Sequence, residues 1–179
     1  MNSNLNKTKL VVVVGIFSAI AFVLQLLGKF IPPVGGFLEI EFSDLPALIV
    51  ALAYGPVAGV LIELIKNIIH CFVPGASYVG ELSNFVVNGT MCLVAGLVYK
   101  YHKSFKGALV ALLLGTVVMS IVGIFSNLFI MLPLYMKDVP FGARLELVLQ
   151  LILPFNLAKG FVISIITVLV YKKISKLIK

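Results

Sequence analysis

Long apolar runs recur along this chain, and the first of them, residues 10–27, contains no charged residue. An α-helix rises about 1.5 Å per residue, so about 20 apolar residues cross a hydrocarbon core that is ~30 Å thick. Of the 179 residues, 61% are hydrophobic and only 12% are charged. A soluble domain of this length has too small an interior to bury so much apolar surface. The sequence therefore predicts an integral membrane protein and excludes a soluble enzyme.

The spacing of apolar runs predicts an all-α bundle of six transmembrane helices, in which residues 1–179 form a single membrane domain. The predicted spans cover residues 10–27, 44–54, 56–72, 81–99, 107–134 and 154–171. The second span is too short to cross a bilayer alone, so it must be shielded by protein or borrow residues from the preceding loop. Ser43 is expected to cap this helix, and Gly55-Pro56 is expected to end it in a tight turn.

The connections between the spans also have recognisable patterns. Residues 37–42 alternate between apolar and acidic side chains, which is typical of a short extended segment. Residues 136–147 contain Pro140 and Gly142 and are expected to form an external connection. Because proline suits the first turn of a helix, the sixth span is expected to begin near Pro154.

The net charge of +7 is distributed along the boundaries of the predicted spans. Basic residues lie before the first span, in the middle of the chain and at its end: Lys7, Lys9, Lys100, Lys103, Lys106, Lys172, Lys173, Lys176 and Lys179. Lysine and arginine accumulate on the cytoplasmic side of membrane proteins. We therefore expect a multi-pass protein of the cell membrane whose two termini are cytoplasmic. Charge that follows the lipid bilayer in this way gives no reason to expect nucleic-acid binding.

Four polar residues recur on one face of the third predicted span, where a polar group is costly and marks a candidate functional site. They are Glu63, Lys66, Asn67 and His70, at positions i, i+3, i+4 and i+7. Two interpretations remain open. Glu63 and Lys66 can neutralise each other and pack the bundle, or the outer end of the face, around Asn67 and His70, can line a solute cavity.

Further polar residues lie near the external ends of three other spans. They are Glu81, Asn84 and Asn88 in the fourth span, Ser126 and Asn127 in the fifth, and Asn156 and Lys159 in the sixth. Hydrogen bonding between helices accounts for any one of them, but several at one depth favour a pocket. Carboxamides both donate and accept, which suits a neutral heterocycle. Lys159 can donate to a carbonyl or hydroxyl group.

Motifs for catalysis or metal binding are not recognisable in the sequence. It contains no phosphate-binding loop of the form G-x-x-x-x-G-K-[ST], no H-E-x-x-H and no G-x-S-x-G. Cys71 and Cys92 lie in apolar stretches without metal-ligand spacing, which indicates small core residues. We therefore expect neither a resident cofactor nor a metal ion.

Five passages of the chain, taken together, resemble the riboflavin-specific S components, or substrate-binding subunits, of energy-coupling factor (ECF) transporters. Three carry most of the resemblance: FSDLPAL (42–48), YGPVAGVLIELIKN (54–67) and PFNLAKG (154–160). ELSNF (81–85) and SNLF (126–129) fit as well. The order of these passages agrees with the family over essentially the whole chain.

This resemblance implies a high-affinity riboflavin-binding subunit without enzymatic activity, which captures the vitamin outside in a pocket near the external helix ends. Its partners would be a transmembrane coupling subunit and two cytoplasmic ATPase subunits. The residues that match flavin-contacting or pocket-lining positions are Asn127, Asn156, Lys159 and Asn84, with the backbone near Leu38, Glu39 and Ile40 in the first external loop. Gly15 and Ala19, with Ser18 beside them, match small residues that meet the coupling subunit. Packing within the bundle is the alternative for this surface.

Other functions are compatible with the sequence. The nearest alternative is an S component for another vitamin or a purine-like solute, and a yellow purified protein would argue against it. An intramembrane enzyme that uses Glu63, His70 and Glu81 would show metal dependence or turnover. A third hypothesis is a purely structural membrane protein, and the convergent polar groups argue against it.

Overall fold

The computed structural model describes residues 3–178, and the side chains of residues 7–171, and this part of the chain is helical without any strand. The helices are α1 (Ser3–Gly28), α2 (Asp44–Tyr54), α3 (Pro56–His70), α4 (Tyr78–Tyr101), α5 (Phe105–Ser126), α6 (Leu132–Tyr135), α7 (Phe141–Leu147) and α8 (Leu153–Ile178). The side chains of Lys172, Lys173, Lys176 and Lys179, which contribute to the predicted cytoplasmic charge, lie outside the described residues.

Two π-helical turns join helices end to end. Asn127–Met131 connects α5 to α6, and Val148–Ile152 connects α7 to α8. Each turn is followed by a Leu-Pro pair, the prolines being Pro133 and Pro154. Proline has no backbone N–H and crowds the carbonyl group four residues earlier, and the wider π turn relieves that conflict. The helix α8 begins at Leu153, next to Pro154 as the sequence predicts, but the continuous helical segment to which it belongs starts at Phe141 and shortens the connection predicted for residues 136–147.

Eight helices thus form six continuous helical segments in the described part of the chain. Four of them are long and apolar enough to cross a membrane: Lys7–Gly28, Tyr78–Tyr101, Phe105–Tyr135 and Phe141–Tyr171. One side of α1 exposes a row of large apolar residues: Val11, Val12, Ile16, Ile20, Val23 and Leu27. Such a surface is unsuited to water and fits contact with lipid.

The short helix α2 is shielded on all sides by protein. Eight of its 11 residues are buried, and α1, α3, α4 and α8 pack around it. Against α3 the approach is close, because a β-carbon on Gly59 would lie 2.6 Å from the Cβ of Ala51. A helix enclosed in this way does not need the length that a lipid-exposed span needs. Of the two alternatives for the second span, the structure therefore shows the shielded one.

The loop between α1 and α2 folds around one isolated bridge, which pairs Val34 with Leu38. Of the residues expected to be extended, 37–42, Phe37 lies in a turn, and residues 38–42 form no strand beyond that bridge. Gly35 and Gly36, between Val34 and Leu38, adopt φ angles of 62° and 84°, a region that side-chain-bearing residues rarely occupy. The loop therefore turns back on itself and brings Leu38 and Glu39 towards the bundle.

Replacing Gly96 by alanine is expected to lower stability by about 1 kcal/mol, although alanine usually stabilises a helix relative to glycine. A β-carbon at Gly96 in α4 would lie 2.6 Å from the Cα of Pro56, so the start of α3 would have to move. Gly15→Ala is the matched control, because no atom lies within 4 Å of the new β-carbon. Thermal unfolding in detergent measures both variants. A Gly96→Ala midpoint equal to that of the parent chain would contradict the close contact between α3 and α4.

Candidate solute-binding site

A cavity of about 310 Å³ lies at the end of the bundle that carries the loop between α1 and α2. Its lining comes from that loop, the loop before α4, α4 itself, both π turns, α6 and α8. The lining residues are Gly36, Phe37, Leu38, Glu39, Gly75, Ser77, Gly80, Glu81, Ser83, Asn84, Val87, Asn88, Asn127, Tyr135, Ile152, Phe155, Asn156 and Lys159. Its volume falls at the lower end of the range of roughly 300–1,000 Å³ that is usual for small-molecule sites.

The structure brings most of the residues singled out by sequence to this cavity. Asn84, Asn88, Asn127, Asn156, Lys159, Glu81, Leu38 and Glu39 line it. Ile40 instead borders a second, apolar cavity of about 200 Å³, which shares Phe155 and Lys159 with the first. Glu63, Lys66, Asn67 and His70 are not in the lining and are buried within the bundle. Ser126, next to Asn127, is also buried outside the lining.

Two asparagines meet at Gly123 of α5. The side-chain amide of Asn127 donates to the Gly123 carbonyl group over 2.8 Å, which leaves the amide oxygen of Asn127 as the group that can accept from a solute. A β-carbon at Gly123 would lie 2.6 Å from Nδ2 of Asn156, so only glycine allows Asn156 its position. The Nδ2 of Asn156 is buried and makes no hydrogen bond to any described residue. A buried donor without a partner is costly and would be satisfied by an acceptor on a solute.

A second group of amides ties α4 to the first loop. The Nδ2 of Asn88 donates to Oδ1 of Asn84 over 2.5 Å, and Asn84 in turn donates to the carboxylate of Glu41. Glu41 is 2% exposed, and it is a site residue that the sequence did not predict. The signal that could have identified Glu41 is an acidic residue only three positions before Asp44, at the edge of a predicted membrane span.

Lys66 and Lys159, from α3 and α8, share one carboxylate. Lys66 Nζ lies 2.5 Å from Asp44 Oδ1 and 3.0 Å from Glu63 Oε2. Lys159 Nζ lies 2.9 Å from Asp44 Oδ2 and 3.5 Å from Glu41 Oε1. Asp44 therefore holds the start of α2 between two lysines, a role that its placement near the positive end of a helix did not reveal.

Ser43 belongs to the same network and does not cap α2 through its side chain. Its hydroxyl oxygen accepts from Lys66 Nζ over 2.6 Å, and no capping hydrogen bond is made. The expectation of a side-chain cap was therefore wrong, because the buried ammonium group competes for the same oxygen. For Glu63 and Lys66 the geometry favours the interpretation of a neutralising pair, with Asp44 as a third member.

Glu81 is held from behind by two buried side chains. Its Oε1 accepts from His70 Nδ1 over 2.6 Å, and its Oε2 accepts from Gln25 Nε2 over 2.8 Å. Gln25 also lies 3.4 Å from Asn67, whose own amide donates to the Glu63 carbonyl group. Gln25 was missed by sequence reasoning, although a lone amide in an otherwise apolar span is the signal of such a partner.

Glu39, in the first loop, lies near two other carboxylates. Burial raises the pKa of its carboxyl group above the ordinary value, and the carboxylates of Glu41 and Glu81 raise the pKa further. His70 and Lys29 lower it by smaller amounts. The acidic groups on this side of the cavity are therefore close enough to influence one another.

The small residues of α1 divide between two surfaces. Gly15 and Ala19 are exposed, whereas Ser18 is 1% exposed and faces the bundle interior. Ser18 therefore cannot belong to an outward surface with its two neighbours. The exposed small-residue surface consists of Gly15 and Ala19 between the apolar side chains of Ile16 and Ile20.

Comparison with known proteins gives a consistent result. The family model described as ECF transporter, substrate-specific component, matches residues 9–171. The riboflavin transporter FmnP of Bacillus subtilis (strain 168) is 38% identical over 176 residues, which cover 94% of this chain and 93% of that protein. The riboflavin transporter RibU of Staphylococcus aureus (strain TCH60) is 34% identical over 181 residues, which cover 98% of this chain and 95% of that protein.

Two solved structures share the fold. The S component of a bacterial ECF transporter is 33% identical and superposes with a TM-score of 0.83, covering 97% of this chain and 99% of that one. ThiT from Listeria monocytogenes has a TM-score of 0.68 at 16% identity, and the match covers 97% of this chain and 98% of that one. The second likeness concerns the fold alone.

Proposed function

This chain belongs to the family of ECF transporter substrate-specific components, and we propose that it is the riboflavin-binding subunit of an ECF-type uptake transporter. The observation that carries the proposal is the cavity of about 310 Å³, in which amides from three helical segments converge. Relatives that are 34% and 38% identical over nearly the whole chain are riboflavin transporters, which supports riboflavin over another vitamin or a purine-like solute.

The polar edge of the flavin ring has carbonyl and N–H groups that complement these amides. Nδ2 of Asn156, which makes no hydrogen bond to the described residues, would donate to a ring carbonyl, and the oxygen of Asn127 would accept from a ring N–H. Phe37, Leu38 and Phe155 supply apolar contact for the rest of the ring. Lys159 has a third ammonium hydrogen beyond those directed at Asp44 and Glu41, and it would donate to a hydroxyl group.

A binding titration on the purified full chain in detergent tests the proposal. Quenching of flavin fluorescence on addition of the protein gives the dissociation constant, with a purine and a second vitamin as competitors. We expect saturable riboflavin binding that neither competitor displaces at similar concentration. Displacement of riboflavin by the purine, or no quenching at all, would contradict the assignment.

The partners that complete the transporter are a transmembrane coupling subunit and two cytoplasmic ATPase subunits, and ATP hydrolysis belongs to those ATPases. The exposed Gly15 and Ala19 on α1 offer a surface where another helix can approach closely. The chain itself captures and releases the vitamin without chemical change. His70 contacts Glu81, whereas the carboxylate of Glu63 contacts Lys66, and this neutralising pair favours a structural role for Glu63 over a role in an intramembrane enzyme.

Ala19→Trp is expected to reduce riboflavin uptake by cells at least tenfold while the affinity of the purified chain changes less than about twofold. A large side chain on this exposed surface holds the coupling subunit away but does not reach the cavity. The control is Val110→Trp, which enlarges an exposed apolar residue on α5 and should leave both uptake and affinity as in the parent. If binding and uptake fall together in folded Ala19→Trp protein, the surface serves the bundle itself.

We further propose that the chain crosses the plasma membrane six times with both termini in the cytoplasm. The cavity lies near the start of α4, at Gly80 and Glu81, whereas α4 ends at Tyr101 next to the basic loop. Because α4 is long enough to cross the membrane, the cavity and the loop lie on opposite sides. Lysines at residues 100–106 favour the cytoplasm for the loop, and the cavity then opens outside.

Cysteines placed at Lys103 and Lys137 are expected to react differently with an impermeant thiol reagent. Both lysines are exposed and both lie in connections between helices, so the substitutions are closely matched. In intact cells Lys137→Cys should be labelled, whereas Lys103→Cys should be labelled only after permeabilisation. Cys71 is replaced by serine in both variants, because it is partly exposed. Labelling of Lys103→Cys in intact cells would reverse the proposed orientation.

A further inference from the structure

Carboxylates outnumber cations around the cavity. Three lining residues are charged, namely Glu39, Glu81 and Lys159. The ammonium group of Lys159 is already engaged by Asp44 at 2.9 Å and by Glu41 at 3.5 Å. The one positive charge among the described lining residues is therefore neutralised by Asp44 and Glu41. Within the described part of the chain, the carboxylates of Glu39 and Glu81 form no ion pair with a lysine or arginine.

The buried charged residues next to the cavity lining do not reverse this excess of carboxylates. Glu63 and Asp44 both contact Lys66, and Glu41 contacts Asn84 and Lys159. The connected groups thus contain more carboxylates than lysine and histidine side chains taken together. Low-dielectric walls strengthen the field that such groups produce inside a cleft.

Glu81 is also fixed in position. Gln25 and His70 hold its two oxygens from the bundle side, so the carboxylate cannot turn away when a solute enters. Glu39 is half-buried in the folded first loop on the same cavity. Because the cavity holds only about 310 Å³, a charged group inside it lies close to both carboxylates.

We propose that Glu39 and Glu81 are specificity-determining residues that make the cavity select an uncharged flavin and reject one that carries a phosphoryl group. This inference rests on the proposed function and deepens it by naming the charge class of the solute. A phosphoryl group carries about −1.5 to −2 charges at neutral pH. Placing like charges side by side in a desolvated site is strongly unfavourable, and no described lining cation is available to compensate.

The experiment compares riboflavin with flavin mononucleotide, which differs from it by one phosphoryl group, on the purified full chain. Fluorescence quenching gives both dissociation constants, and their ratio cancels any general loss of active protein. We expect the mononucleotide to bind at least about tenfold more weakly to the parent chain. Glu39→Gln should narrow the ratio by about three- to tenfold, since it removes one repelling charge. Glu81→Gln should act in the same direction.

The matched control is Glu146→Gln, the same chemical change at an exposed residue of α7 that pairs with Gln150, and it should leave the ratio as in the parent. Equal affinity of the parent for both flavins would overturn the inference and leave the proposed function standing. The inference would also be overturned if the ratio of the two dissociation constants were the same in Glu39→Gln and in Glu81→Gln as in the parent. A parent that binds neither flavin would contradict the proposed function, and the inference with it.

Discussion

Lys66→Met is expected to lower the recovery of folded protein sharply. Lys66 is 0% exposed, and its ammonium group contacts Asp44, Glu63 and Ser43 within 3.0 Å. Methionine fills similar space but leaves two buried carboxylates without their partner. Breaking a buried ion pair from one side costs about 3–5 kcal/mol, a large share of a typical stability of about 5–15 kcal/mol. The fraction of monodisperse protein on size-exclusion chromatography in detergent measures the loss.

Two further variants distinguish stranded charge from lost packing. Lys66→Met combined with Asp44→Asn and Glu63→Gln removes the unpaired charges and should recover part of the folded fraction. Lys106→Met makes the same substitution at an exposed lysine near the start of α5 and should behave as the parent does. If Lys66→Met alone folds normally, these contacts contribute little to stability.

Asn156→Ala is expected to weaken riboflavin binding by about 5- to 150-fold, which corresponds to about 1–3 kcal/mol for one buried hydrogen-bond partner. Asn127→Ala should fall in the same range. The folded fraction should change little, because Asn156 Nδ2 has no hydrogen-bond partner in the described part of the chain and Asn127 bonds within its own helix. Lys159→Ala is a poorer test, because it also strands Asp44 and Glu41 and should lower the folded fraction as well.

The matched control for these truncations is Gln150→Ala, which removes an exposed amide in the π turn before α8. Its dissociation constant for riboflavin should equal that of the parent. Unchanged affinity in both Asn127→Ala and Asn156→Ala would remove the cavity from consideration. Attention would then move to Asn67 and His70, on the other side of Glu81.

Local patterns in the sequence predict the helices well, because they depend on residues close together in the chain. The end of α2 is an example. Gly55 adopts a φ of 105° and Pro56 begins α3, as the Gly-Pro pair predicts. The amides of the cavity could also be predicted, since a polar group in a membrane helix is too costly to be accidental.

Partners that lie far apart in the chain could not be predicted in this way. Periodicity places Lys66 and Glu63 on one helical face, but it cannot show that Asp44, on another helix, contacts both Lys66 and Lys159. Gln25 meets Glu81 across 56 positions of sequence. The π turns could not be predicted either, because a proline that is typical of a helix start gives no sign that a π turn precedes it.

Those two π turns have a consequence for how the site can change over time. One extra residue in a helix rotates everything beyond it by about 100° relative to an uninterrupted helix. Asn127 opens the first turn, and Asn156 follows the second by one turn of helix. Deleting a single residue from either turn would swing a different set of side chains towards the solute. A new solute specificity can therefore arise in this fold when a π turn loses one residue, without substitution of any residue that lines the cavity.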